Sequence, residues 1–129
     1  MSIRLPSILV VLAIAGPAQA LEAGIVRQLE ALTPEERLEQ RCDIEAMDRI
    51  REEQDGFRPD KVIAYTFSDP EVADTSIRAP GAVFRSKGEW YRLKYKCETG
   101  PSQLKVKSFK YKIGSIVPRE DWQRYYLYN

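Results

Sequence analysis

Apolar side chains recur at four-residue steps early in this chain and at two-residue steps later. Leu38, Cys42, Ala46 and Ile50 form the first pattern, a narrow stripe on an otherwise charged segment. Such spacing predicts an amphipathic helix with one buried seam. Its start is marked by Thr33-Pro34-Glu35-Glu36. Thr33 can cap, Pro34 suits the first helical position, and Glu36 completes a capping box. Asp55-Gly56 is the expected stop, so the helix covers residues 34–54. Residues 21–32 also have a helical pattern.

From Lys61 the period becomes two. Residues 62–67 read as a strand, and residues 68–79 as a loop with a short extended piece near Ile77. Pro80-Gly81 reads as a turn before a second strand at residues 82–85. Lys87-Gly88 fits a two-residue hairpin turn, because glycine tolerates the positive φ such turns need. The next strand alternates cleanly. Tyr91, Leu93, Tyr95 and Cys97 take one face, and Arg92, Lys94 and Lys96 the other. The last strand begins in one phase with Leu104 and Val106 and continues in the other with Phe109, Tyr111 and Ile113. That change predicts a β-bulge near Ser108. Gly114 is the expected end, followed by a short helix over residues 118–127. The fold class is therefore α+β, with a long helix on an antiparallel meander of about four strands and a short C-terminal helix.

Cys42 and Cys97 are the only cysteines. Each lies on the apolar side of its own element, so the two sulfurs are expected to meet as one helix–sheet disulfide. Residues 1–20 support an oxidising location. Arg4, an apolar run from Ile8 to Ile14, Gly16-Pro17 and Ala18-Gln19-Ala20 have the order of a secretory signal. The run is shorter than the roughly 20 residues of a spanning helix. Cleavage would leave residues 21–129 as a single exported domain, periplasmic or secreted, with no membrane span. The alternative is an uncleaved anchor.

Composition narrows the chemistry. The chain contains no histidine, which removes Ser-His and Cys-His nucleophiles and leaves a metal site short of ligands. No cofactor and no metal are expected. Twenty basic residues stand against nineteen acidic ones, and the exported domain gives no reason to expect nucleic acid. The signs are segregated. Residues 30–60 carry eleven acidic and five basic side chains, whereas residues 85–112 carry nine basic and two acidic.

Two candidate binding features follow. One is a basic strand face with Arg92, Lys94 and Lys96, joined by Lys105 and Lys107 on the neighbouring strand. It suits an anionic polymer such as a lipopolysaccharide core or a teichoic-like glycan, and is otherwise the wet face of a one-sided sheet. The other is an aromatic tail in which Trp122 and Tyr126 share a helical face, accompanied by Tyr125 and Tyr128; its alternative is to pack back onto a small core. Carboxylates could act as a pair in glycan hydrolysis. Asp69, Glu71 and Asp74 in one loop and Glu45 with Asp48 on the helix are the candidates.

Several segments together resemble a known family. These are Leu32-Thr33-Pro34-Glu35-Glu36-Arg37-Leu38-Glu39-Gln40-Arg41-Cys42 leading to Glu45-Ala46-Met47, then Pro59-Asp60-Lys61-Val62, Phe84-Arg85-Ser86-Lys87-Gly88-Glu89-Trp90-Tyr91, Tyr95-Lys96-Cys97 and Tyr111-Lys112-Ile113-Gly114 with Pro118. Over residues 31–128 the chain resembles an uncharacterised family of exported Gram-negative proteins, domain of unknown function family 930. The resemblance implies an envelope location and carries over no catalytic residue. The expected function is a non-catalytic module for an envelope protein or glycan. Alternatives are a small carboxylate-dependent cell-wall hydrolase or lyase, and an inhibitor of an envelope enzyme that uses the 68–80 loop.

Overall fold

A computed structural model describes residues 21–129; the signal-like segment lies outside the described residues. Two helices come first, α1 (Ala23–Glu30) and α2 (Pro34–Glu53). Thr33 caps α2 as expected, its hydroxyl accepting the Glu36 N–H at 3.3 Å. Strands β1 (Pro59–Ile63), β2 (Glu71–Val72), β3 (Ser76–Ser86), β4 (Glu89–Thr99) and β5 (Val106–Ile116) follow. A one-turn helix α3 (Arg119–Trp122) and a 3-10 turn (Gln123–Tyr125) close the chain.

The five strands form one antiparallel sheet in the order β1-β3-β4-β5. β2 pairs with the other end of the β3 edge that β1 uses. The Lys87-Gly88 turn joins β3 to β4, with φ of 50° and 76° at the two residues.

β3 differs from expectation. It runs through Pro80-Gly81 rather than beginning after it, with a register shift between Ala79 and Ala82. β1 stops at Ile63, and residues 64–70 turn past that irregularity before β2 pairs with β3. The Gly81 carbonyl accepts the Phe67 N–H at 2.9 Å. A Cβ at Gly81 would collide with Ser68, so only glycine permits the crossing. The expected 68–79 loop is thus partly strand.

β5 carries the expected bulge. Glu98 pairs with Ser108 and Thr99 with Val106, leaving Lys107 as the extra residue. The strand also continues beyond Gly114 to Ile116, through a second register shift.

α2 lies across one face of the sheet. Leu38, Cys42, Ala46 and Ile50 are buried against Val62, Ile77, Phe84, Leu93, Tyr95, Cys97 and Phe109. The disulfide Cys42–Cys97 crosses this layer, with Cα atoms 6.0 Å apart. A smaller cluster sits elsewhere, where Val83 and Trp90 meet Val117, Trp122 and Leu127. On β3 and β4 these residues alternate with those facing α2, so the C-terminal segment covers part of the sheet's second face.

Candidate binding surface

Strand alternation decides which side chains reach the second face. On β4 it receives Trp90, Arg92, Lys94, Lys96 and Glu98. Trp90 is covered, and its indole N–H donates to the Tyr128 carbonyl at 2.8 Å. Arg92 marks the edge of that cover, with its guanidinium 3.8 Å from the centre of the Phe67 ring. Phe67 in turn meets Tyr125 edge-on at 4.5 Å. Beyond this aromatic edge Lys94 and Lys96 are exposed.

The partner lysines differ from those expected. Lys94 pairs directly with Lys112, and Lys96 with Lys110. Lys105 precedes β5, and Lys107 sits in the bulge beside Glu98 and Thr99. An antiparallel neighbour enters opposite the end of β4, so the first lysines of the segment lie past the basic residues they were expected to join. The bulge then resets the phase and puts Lys110 and Lys112 opposite Lys96 and Lys94. β3 adds Arg78, directly opposite Lys96 on the other side.

Two grooves run over this face. One of about 300 Å³ is lined by Arg78, Pro80, Lys94, Lys96, Lys110 and Lys112. Another of about 500 Å³ shares Arg78, Lys96 and Lys110 and extends to Glu71 and Ser108. Arg78 is 3.5 Å from Glu71. Among the described residues, none of the four lysines lies within 4 Å of a carboxylate. Like charges placed directly opposite on a sheet destabilise it. Two such pairs side by side form a surface suited to a ligand carrying several negative charges.

The aromatic tail has another role. Trp122 is only 7 % exposed, and its indole N–H donates to the Val117 carbonyl at 3.0 Å. Tyr126 is 77 % exposed, so the two do not share a helical face. The helix has already ended. Tyr126 adopts φ 58°, its N–H donates to the Gln123 carbonyl, and the Leu127 N–H reaches the Trp122 carbonyl. This is the closing turn in which glycine is usual. A left-handed conformation costs a side-chain-bearing residue about 1–2 kcal/mol, against roughly 0.5–1 kcal/mol of extra chain entropy for glycine. Tyr126→Gly is therefore expected to raise stability by up to about 1 kcal/mol, read as a higher thermal midpoint.

The carboxylate candidates do not form a shielded pair. Asp69, Glu71 and Asp74 are exposed. Glu71 is engaged by Arg78, Glu45 by Arg41 and Arg49, and Asp48 by Arg51. A general acid with a raised pKa requires the opposite setting. The 68–80 segment is a short β2–β3 pairing rather than a protruding loop.

One buried polar pair has no counterpart in the sequence pattern. Asp43 on α2 is buried, and Tyr95 donates its hydroxyl to Asp43 Oδ1 at 3.0 Å. Burial pushes the Asp43 carboxyl well above its ordinary range, opposed by the Tyr95 hydrogen bond and reinforced by nearby Glu39. Burial also raises the Tyr95 phenol, as does the adjacent Asp43. Because the pair is enclosed beside the disulfide, it belongs to the packing of helix on sheet.

A family profile matches residues 29–127, most of the chain, and its description is Domain of Unknown Function (DUF930). The chain belongs to the DUF930 family. No curated protein and no solved structure matched it. In this DUF930 domain, no helix among the described residues is long and apolar enough to cross a membrane.

Proposed function

We propose that this DUF930 protein is an exported, non-catalytic module that binds an anionic polymer of the Gram-negative envelope on the open sheet face. The observation that carries this reading is the register Lys94 opposite Lys112 and Lys96 opposite Lys110. Four ammonium groups without carboxylate partners among the described residues occupy one groove system, where a polyanion would relieve their repulsion. The signal-like N-terminus and the buried disulfide support an oxidising compartment outside the cytoplasm. The exposure and pairing of the carboxylates give no support to a hydrolase.

Retention of the disulfide-bonded chain on immobilised dextran sulfate tests the reading. Binding is expected at low ionic strength and should weaken steeply with salt. The K94Q/K96Q/K110Q/K112Q variant should elute at least about twofold earlier in salt concentration, since exposed charge contributes through screened Coulomb attraction. Equal elution of variant and parent would refute it.

A further inference from the structure

We infer that the polymer is a glycan and that Tyr126 and Tyr128 stack on its sugar rings, an assignment that rests on the anion-binding reading above. Both tyrosine side chains are largely exposed. Among the described residues, no hydrogen bond or ring contact involves either of them. Their backbone, in contrast, is fixed. Leu127 between them is buried in the smaller cluster, and its N–H donates to the Trp122 carbonyl at 2.9 Å. The Tyr128 carbonyl accepts from the Trp90 indole at 2.8 Å and from the Arg85 guanidinium at 3.4 Å. Tyr126 holds a left-handed conformation that glycine would adopt at lower cost. The fold thus anchors the chain at both positions and leaves both rings to solvent. Rings on an anchored backbone have less freedom to lose when a ligand covers them, which favours binding.

Their surroundings suit a saccharide better than a protein. Gln123, Arg124 and Asn129 are exposed beside them, and the intervening aliphatic Leu127 is buried. The centre of a protein interface is depleted of charge and closely packed around its anchors. Tyrosines set among polar groups match a ligand with an apolar C–H face and a rim of hydroxyls. The rings meet the C–H face, and the phenol and its polar neighbours meet the rim. The tail also adjoins the basic face. Tyr125, next to Tyr126, packs edge-on against Phe67, whose ring centre lies 3.8 Å from the Arg92 guanidinium. Arg92 precedes Lys94 by two residues on β4 and shares its face. One chain that carries both negative charge and sugar rings can therefore meet the lysines and the tyrosines together.

Dextran sulfate and poly(vinyl sulfate) of matched charge separate the two contributions, because both carry sulfate esters and only the first has sugar rings. The parent is expected to bind dextran sulfate at least about fivefold more tightly, as weak C–H contacts to two rings would give. Y126G/Y128A, which removes both rings and the left-handed strain, should lose that preference while binding poly(vinyl sulfate) as the parent does. In NMR titrations of the parent, the ring protons of Tyr126 and Tyr128 should shift with dextran sulfate and stay in place with poly(vinyl sulfate). Equal binding of the two polymers by the parent, or an unchanged preference in Y126G/Y128A, would overturn the glycan assignment and leave the anion-binding reading standing. Self-association of the parent in sedimentation, lost in Y126G/Y128A, would overturn it too, by giving the rings to a protein contact. If neither polymer is bound better by the parent than by K94Q/K96Q/K110Q/K112Q, both readings fail.

Discussion

Replacing Cys42 and Cys97 together by alanine is expected to lower the unfolding free energy by about 4 kcal/mol. The bond closes a segment with a sequence separation of 55, and both cysteines are buried between helix and sheet. Cross-linking a loop of this length removes much of the freedom of the unfolded chain. A single small domain has only about 5–15 kcal/mol of net stability, so the loss is a large share of the total. α2 meets the sheet through the Leu38–Ile50 stripe and the Asp43–Tyr95 hydrogen bond, and the disulfide is its covalent attachment to β4. Urea unfolding of the oxidised parent, the reduced parent and C42A/C97A provides the measurement. The last two should unfold at similar, much lower urea concentrations. A loss below about 1 kcal/mol would show that packing alone holds the helix.

Tyr95→Phe is expected to cost about 1–3 kcal/mol, because it strips the hydroxyl from a buried Asp43. The same pair predicts an unusual pH dependence. Burial raises the folded-state pKa of Asp43, so the folded chain holds the proton more tightly than the unfolded one does. The stabilisation is complete below the ordinary aspartate range, near pH ~4, and is lost as pH rises through the raised folded-state value. Glu39, also raised chiefly by burial and then by Glu35 and Glu36, acts in the same direction. The Tyr95 phenol is raised too, so its contribution is lost only above its ordinary value of about 10. Asp43→Asn should therefore raise stability at neutral pH and flatten the acid limb, because the amide carbonyl can still accept from Tyr95. Chemical unfolding at pH 4, 5.5 and 7 checks both variants. A parent that gains stability across that interval by the same amount as D43N would contradict the assignment.

The parts legible in the sequence were those set by neighbours in the chain. The Thr33 cap, the α2 stripe, the β4 alternation and the Lys87-Gly88 turn each depend on a few adjacent residues. The bulge beside Ser108 was also legible, because it shifts the apolar phase within one strand. What followed from it was not. Choosing Lys110 and Lys112 rather than Lys105 and Lys107 requires the register against β4, and a one-residue slip exchanges the faces of every side chain. Pro80-Gly81 reads locally as a turn, yet β3 passes through it because residues 64–70 cross at Gly81. By its place in the sequence Asp43 is one more charged position flanking the stripe. Its burial depends on Tyr95, which is remote in sequence and supplies the hydroxyl. Tyr126 departed from the helical face of Trp122 because the helix closes through a left-handed residue.

On the proposed reading, Lys94, Lys96, Lys110 and Lys112 are kept for a ligand at some expense to the fold. The most direct test is the unfolding free energy of K94Q/K96Q/K110Q/K112Q without ligand, at low and at high salt. Relief of two opposed like-charge pairs should make the variant more stable by about 1 kcal/mol at low salt. That gain should shrink as salt screens the parent's repulsion. A variant that is less stable than the parent at low salt would mean that these lysines serve the fold, and the binding account would lose its basis.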